Sequence, residues 1–360
     1  MFIVSPKWIY LDNKKLESKK SVLIDGSLII DVLTDSQIEK RYKNLPRTTF
    51  SNHIMMPTLS ECYLNIDECD NQHKYNEKMN NILSKGITNV QIVTKKYRDI
   101  LNYEPIDNLK ISYVITLDSS ECSNQDLKEM INTIDYYKSD QTKIFSINLI
   151  NVISFDSELI EKISSICNEL NLNIIIHLKE LITLTDSHVD KVFKFWENIN
   201  LLNNCSVHDF MSIKREWHDY FNKKNINLLI RFGDLNNKNN LDLFLTSFNT
   251  NYKCILVSDE ENIYKFFDFV KIVYASDLDN EKFDAYKITD CVSTNASSFF
   301  IEISSSSKIR KGNLASFNLF KYNSNKFLAE DSNKPSMCDL DNSSLTNVWS
   351  SGIRIDTDYE

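Results

Sequence analysis

The stretch that decides the fold is Asn173–Glu180, with the sequence NIIIHLKE. Its isoleucine run predicts a short buried strand that ends at a polar residue, His177. Two later apolar runs end in the same way, CSVH at His208 and CILVSD at Asp259. Helical patterns separate the three runs, which predicts parallel strands whose carboxyl ends lie at one edge. We therefore expect His177, His208 and Asp259 to face a common site.

Outward from this stretch, strand patterns alternate with helical patterns over most of the chain. Strands alternating with helices of this length are typical of parallel βα units. Eight strands are available, which predicts an α/β protein with a (β/α)8 TIM barrel. The predicted strands are Ile54–Leu59, Asn89–Val93, Ile111–Thr116, Lys143–Leu149, Asn173–His177, Ser206–His208, Asn227–Phe232 and Lys253–Ser258.

Both ends of the chain have a different pattern, in which short strands predominate. Residues 1–52, 312–322 and 345–355 show strand patterns, interrupted by a helical pattern over Thr34–Asn44. Ser21–Leu33 and Leu345–Ile355 are predicted to share one sheet, because neither could bury its apolar face alone. We predict a small composite β-sandwich domain from residues 1–52 and 306–360, with the barrel spanning residues 53–305.

The charge and composition of the chain limit which classes of binding partner are expected. The net charge of −9 argues against nucleic-acid binding, which needs a basic face. No apolar run approaches the ~20 residues that span a bilayer, so no membrane partner is expected. The eight cysteines include no C-x-x-C pair, which is typical of free thiols in a reducing cytoplasm. We expect a cytoplasmic protein whose partner is a small-molecule substrate or ligand.

The three strand ends, in this order, resemble the amidohydrolase superfamily, and especially its deaminase and chlorohydrolase branch. Within that branch the sequence is most similar to aminodeoxyfutalosine deaminase-like proteins. The branch opens with P-G-x-x-x-x-H-x-H on the first barrel strand. The matching stretch here is Pro57–Asn65, PTLSECYLN, in which Tyr63 and Asn65 stand at the two histidine positions.

The resemblance implies a role for each matching residue. His177, His208 and Asp259 would bind one divalent metal, zinc or iron, and Glu180 would carry a proton from the metal-bound water to the leaving group. His208 and Asp259 would also orient and deprotonate that water. Tyr63 and Asn65 would lie in the substrate pocket. Because both histidines of the first strand are absent, we expect a weakly held metal or none.

Two functions are therefore open. The first is a metal-dependent hydrolase, ancestrally an N-heterocycle or nucleoside deaminase and now catalytically impaired. The second is a non-catalytic relative that binds a ligand or pairs with another subunit, for example as a homodimer. The sequence alone leaves open whether the protein is an enzyme.

Simpler interpretations exist for each polar strand end. Glu180 could be an acidic residue at the start of a helix, where the dipole favours it. Asp259 could be the N-cap of the next helix, and His208 with Asp209 could be a capping pair. His177 alone would usually be a hydrogen-bonded residue at the rim of the barrel.

Overall fold

The computed structural model describes residues 1–11, 15–95, 97–138, 143–249, 252–258, 266–276, 285–296, 308–322, 335, 337 and 340–355. The strands in these residues are β1 Phe2–Tyr10, β2 Leu16–Ser18, β3 Lys20–Asp25, β4 Leu28–Thr34, β5 Arg47–Pro57, β6 Leu59–Asn65, β7 Ile87–Thr94, β8 Lys110–Asp118, β9 Ile144–Ile150, β10 Asn173–His177, β11 Cys205–His208, β12 Asn227–Arg231, β13 Cys254–Val257, β14 Phe317–Lys321, β15 Leu345–Ser350 and β16 Ile353–Ile355.

Helices connect most of these strands. They are α1 Asp35–Arg41, α2 Gln72–Ser84, α3 Tyr97–Ile100, α4 Asn124–Lys138, α5 Ser157–Glu169, α6 Asp186–Asn198, α7 Arg215–Lys223, α8 Lys238–Asn249, α9 Phe266–Ser276 and α10 Ala285–Val292. Short 3-10 helices follow several strand ends, at Val152–Ser154, Lys179–Thr183, Phe210–Ser212 and Phe232–Asn236, and another precedes β15 at Asn342–Ser344. In the part of the chain that the structure describes, none of the helices is long and apolar enough to cross a membrane.

Strands β6 to β13 lie side by side in chain order in one parallel sheet, which confirms the predicted (β/α)8 barrel. Side chains along each barrel strand point alternately toward the barrel interior and toward the surrounding helices. Ile175 faces inward and packs in the barrel interior with Val114, Leu229 and Ile255. Its neighbours Ile174 and Ile176 face outward into the larger core, which also contains the apolar residues of the helices. The isoleucine run of β10 therefore fills both layers.

The first barrel strand differs from the prediction. Leu59–Asn65 forms it, whereas Ile54–Pro57, predicted to begin it, ends the longer strand β5 of the other sheet. The apolar residues continue through this junction, so only Pro57 marks the change of sheet. The domain boundaries at residues 52/53 and 305/306 stay a prediction, and β5 runs across the first of them.

The remaining strands form the second sheet, in the order β16-β15-β14-β5-β1-β3-β4, with β2 paired to β1. The predicted association of Ser21–Leu33 with Leu345–Ile355 in one sheet is confirmed. Strand β5 lies at its centre, parallel to β1 and antiparallel to β14. The fold class, a barrel with a small composite β domain built from both termini, is therefore as the sequence predicts.

Two glycines fix close approaches in this arrangement. A Cβ on Gly352 would lie 2.0 Å from the carbonyl oxygen of Gly26, so the turn after β15 packs directly against the β3–β4 hairpin. A Cβ on Gly86, before β7, would lie 2.3 Å from Asn318 Nδ2. Asn318 Nδ2 donates to the Gly86 carbonyl oxygen at 2.9 Å, which ties β14 of the terminal domain to the barrel.

Candidate functional site

The two predicted histidines meet at the carboxyl ends of β10 and β11. These parallel strands pair with His177 directly opposite His208. The ring centroids lie 4.6 Å apart with an interplanar angle of 34°. His208 is buried, and burial lowers its pKa, so the neutral imidazole is favoured. The strand register therefore brings together the two imidazoles that the sequence places 31 positions apart.

Asp209 connects both imidazoles. Its Oδ2 lies 3.0 Å from His177 Nδ1, and its Oδ1 lies 3.2 Å from His208 Nδ1. Asp209 has a left-handed backbone, with φ at 60°, which turns its carboxylate back over the end of β11. Burial alone would raise the pKa of Asp209, but the contacts with His177 and His208 outweigh it and hold the pKa well below its usual range. The carboxylate is therefore ionised.

A positive charge also faces Asp209. Arg231, the last residue of β12, places Nη2 at 3.3 Å from Asp209 Oδ1. The same guanidinium donates to both carboxylate oxygens of Asp234, at 3.2 and 3.1 Å. Two donations to one carboxylate fix the plane of the guanidinium. Arg231 is therefore held against Asp209 rather than free to turn into solvent.

Tyr63 covers the other side of His177. Its hydroxyl oxygen lies 3.0 Å from His177 Nε2, and its ring centroid lies 4.7 Å from that of His208. Nδ1 of the same ring faces Asp209, so Tyr63 and Asp209 contact the two different nitrogens of His177. Burial raises the pKa of Tyr63 well above its usual value, so the phenol stays protonated.

Asn148, from β9, completes the polar cluster. Its Oδ1 lies 3.0 Å from His177 Nε2, and its Nδ2 donates to the Tyr63 hydroxyl at 3.3 Å. Nδ2 also donates to Thr116 Oγ1 at 3.3 Å. Thus Asn148 connects the imidazole to a residue of β8.

Glu180 and Asn65 take other partners. Glu180 lies in the 3-10 helix that follows β10, where its Oε2 accepts from the backbone N–H of Ile153 at 3.3 Å. Burial raises the pKa of Glu180. Asn65 Oδ1 accepts from the backbone N–H of Asp67 at 2.8 Å. Of the six predicted site residues, Tyr63, His177 and His208 are thus in mutual contact, and Asp259 lies outside the described residues.

Three members of the cluster were missed in the sequence, although period-two alternation marks two of them. Asn148 alternates with Ile147 and Leu149 on β9, and Arg231 alternates with Ile230 on β12, so both face the interior. The third is Asp209, which adjoins a predicted site residue and for which a capping pair with His208 was one open interpretation. The left-handed backbone of Asp209 directs its side chain toward the site, and no sequence pattern predicts that conformation.

Glu61 joins the first and last strands of the barrel. Its carboxylate is buried and accepts from the backbone N–H of Tyr63 at 2.9 Å and from that of Ser258 at 3.1 Å. Ser258 directly follows β13, which adjoins β6. Burial raises the pKa of Glu61 to about 7, and these hydrogen bonds only partly oppose the shift. One carboxylate therefore links the first and last strands of the barrel and holds the backbone of Tyr63.

A cavity of about 350 Å³ opens beside this cluster, at the ends of β7 and β8. Its lining includes Lys95, Arg98, Thr116, Asp118 and Glu121. Thr116 also accepts from Asn148, so the cavity wall and the His177 cluster share a hydrogen bond. The room for a ligand thus lies next to the polar cluster.

The donor set can be compared with the needs of a divalent metal. His177, His208 and Asp209 each offer one atom, and these atoms lie within 4.8 Å of one another. However, Arg231 already neutralises Asp209, and the Tyr63 hydroxyl hydrogen-bonds His177 Nε2. A bound zinc would need nitrogens at ~2.0–2.1 Å, and a protonated phenol is a poor ligand. A divalent cation at these three residues would therefore compete with Arg231 for Asp209 and with the Tyr63 hydroxyl for His177.

Over nearly its whole length the structure is similar to solved hydrolases. Zinc-complexed atrazine chlorohydrolase TrzN from Arthrobacter aurescens TC1 has 11% identity and a TM-score of 0.73, covering 99% of this chain and 95% of that one. Helicobacter pylori aminofutalosine deaminase in complex with methylthio-coformycin has 12% identity and a TM-score of 0.72, covering 99% and 100%. Guanine deaminase from C. acetobutylicum with bound guanine has 14% identity and a TM-score of 0.73, covering 98% and 99%.

The neighbours are deaminases and chlorohydrolases, which confirms, at the level of the fold, the resemblance seen in the strand-end motifs. No known family model and no curated protein sequence matches this chain. At such low identity the likeness shows the fold alone.

Proposed function

We propose that this protein is an amidohydrolase-like small-molecule binder that has lost metal-dependent hydrolysis. The observation that carries the proposal is the 3.0 Å contact between the Tyr63 hydroxyl and His177 Nε2. A metal bound through that nitrogen would have to displace the Tyr63 hydroxyl, which stays protonated and is a poor ligand. The ancestral reaction would be the hydrolytic deamination of a nitrogen heterocycle.

The ligand we propose is a nitrogen heterocycle or nucleoside, bound in the cavity at the ends of β7 and β8. The comparison proteins are named for atrazine, guanine and aminofutalosine, and these share heterocyclic nitrogens. The cavity offers both hydrogen-bond donors and acceptors, with Lys95, Thr116 and Asp118 in its lining. Ring nitrogens and exocyclic amines could pair with such groups.

Metal content and ammonia release, measured on one preparation, test the proposal. We expect substoichiometric zinc and iron in the wild type, and no ammonia from guanine, adenosine or aminofutalosine. Substituting Tyr63→His together with Asn65→His should raise the metal content, because two imidazoles return to the first strand. Full zinc occupancy of the wild type, with ammonia release that Glu180→Ala abolishes, would refute the loss of hydrolysis.

A second candidate is the metal-dependent hydrolase itself, with His177, His208 and Asp259 as ligands and Glu180 as proton carrier. One observation favours it: Nε2 of His208 is buried and has no hydrogen-bond partner among the described residues. A buried polar atom without a partner calls for a water or an ion beside it. Zinc or iron at one ion per chain in the wild type would support this candidate over the first.

We further propose a cytoplasmic location and a homodimeric assembly. The seven cysteines in the described residues are all free, as expected in a reducing compartment. Sedimentation equilibrium of the purified chain would measure the assembly, and fractionation of cells would measure the location.

A further inference from the structure

We propose that the Arg231 guanidinium occupies the electrostatic place of a metal ion and keeps one out. This inference rests on the proposed function, since it explains how the cluster remains stable without metal. Asp209 is the carboxylate that both imidazoles contact. Arg231 supplies the positive charge that this carboxylate needs.

The burial of Asp209 makes such a charge necessary. Its side chain is only 5% exposed, and an isolated ionised carboxylate is costly in such surroundings. Arg231, whose guanidinium stays protonated, lies 3.3 Å from Asp209 Oδ1 and is the permanently charged group among the described contacts of Asp209.

The position of Arg231 is fixed by the strand and by Asp234. Leu229 and Arg231 alternate toward the barrel interior, so the guanidinium reaches the mouth, where Nη2 lies 3.3 Å from Asp209 Oδ1. Asp234 then holds it through two hydrogen bonds, at 3.2 and 3.1 Å. A divalent cation at Asp209 would lie within a few ångströms of this fixed charge and would be repelled by it.

Tyr63 completes the exclusion from the other side. Its hydroxyl is bound to His177 Nε2, and its ring packs against His208. Arg231 and Tyr63 together cover two imidazoles and one carboxylate, a ligand set that binds divalent ions in other proteins. Removing the charge of Arg231 and the hydroxyl of Tyr63 should therefore uncover a metal site at His177, His208 and Asp209.

The test measures zinc binding to the full chain by calorimetry, and cobalt absorption spectra report the coordination. The Arg231→Gln/Tyr63→Phe double variant should bind one zinc per chain at least ~10-fold more tightly than the wild type, by analogy with losses of support around metal sites. Arg231→Lys retains the charge and should gain nothing. Arg98→Gln removes the arginine that pairs with Glu129 and serves as the matched control. Adding Asp209→Asn to the double variant should abolish the gain.

Two results would overturn this inference. A folded double variant that binds zinc no more tightly than the wild type overturns it, while a metal-free wild type leaves the proposed function intact. A wild type that binds zinc stoichiometrically overturns both. Should the double variant fail to fold, judged by circular dichroism, the Arg231→Gln single variant carries the same comparison with Arg231→Lys.

Discussion

The two halves of the barrel mouth differ in how deeply their charged side chains are buried. At the ends of β10 to β12, Asp209 and His208 are buried and lie in one connected network with Arg231. At the ends of β7 and β8, Lys95 pairs with Glu121 at 3.4 Å, but the side chains are 46% and 68% exposed. An ion pair in water contributes little, whereas a buried charge that loses its partner is costly. The closed half should therefore be sensitive to substitution and the open half tolerant.

The largest effect is expected from Asp209→Asn. Neutralising this buried carboxylate removes the charged partner of His177 and of Arg231, and each hydrogen bond to a charged group contributes about 1.5–3 kcal/mol. Urea unfolding would measure the loss. Glu121→Gln is the matched control in the open half and should change stability by less than about 1 kcal/mol. Equal losses in the two variants would abolish the contrast between the halves.

Comparison with Glu61→Gln should show that the wild type loses stability as the pH rises, because of the carboxylate between the first and last barrel strands. The pKa of Glu61 is raised from 4.5 to about 7, so its stabilising contribution is present below pH 4.5 and is lost as the pH rises through 7. Relative to Glu61→Gln, the wild type should lose about 3 kcal/mol over that window, at 1.36 kcal/mol per pKa unit. Parallel stability curves for the two proteins from pH 4.5 to 8 would contradict this assignment.

Tyr63→Phe removes one hydroxyl from the closed half and retains the ring. The hydrogen bond to His177 Nε2 should be worth about 1 kcal/mol, and the packing against His208 should survive. Tyr97→Phe, in the lining of the open cavity, is the control and should cost less than about 0.5 kcal/mol. Thermal unfolding of both variants measures the difference, and a larger loss from Tyr97→Phe would reverse the expected order.

The smallest effect on stability should come from Lys95→Met. Its partners Asp118 and Glu121 lie at 3.6 and 3.4 Å, yet the exposed ammonium is screened by solvent. We expect a change within about 0.5 kcal/mol, together with a measurable change in heterocycle affinity, because Lys95 lines the cavity. Unchanged affinity for guanine and adenosine, measured by calorimetry, would remove Lys95 from the proposed binding site.

The sequence predicted the barrel because apolar runs such as Ile174–Ile176 can be buried in few ways, and their ends fall at one edge. For the same reason it predicted that His177 and His208 lie together at that edge. It did not predict that Arg231 reaches Asp209, because this contact depends on the register between β11 and β12 and on the left-handed backbone of Asp209. The placement of Ile54–Pro57 was wrong because its apolar pattern suits either sheet equally well.

The position of β5 at the centre of the terminal sheet has a consequence for synthesis. Residues 53–57 pair with residues 317–321, so one edge of β5 finds its partner only after the whole barrel has been translated. Until then the nascent chain exposes an apolar strand with unpaired backbone groups, which is a hazard for aggregation. Contacts so distant along the chain raise the contact order and slow folding. A chain truncated before Phe317 would retain this open edge permanently and should depend on chaperones to remain in solution.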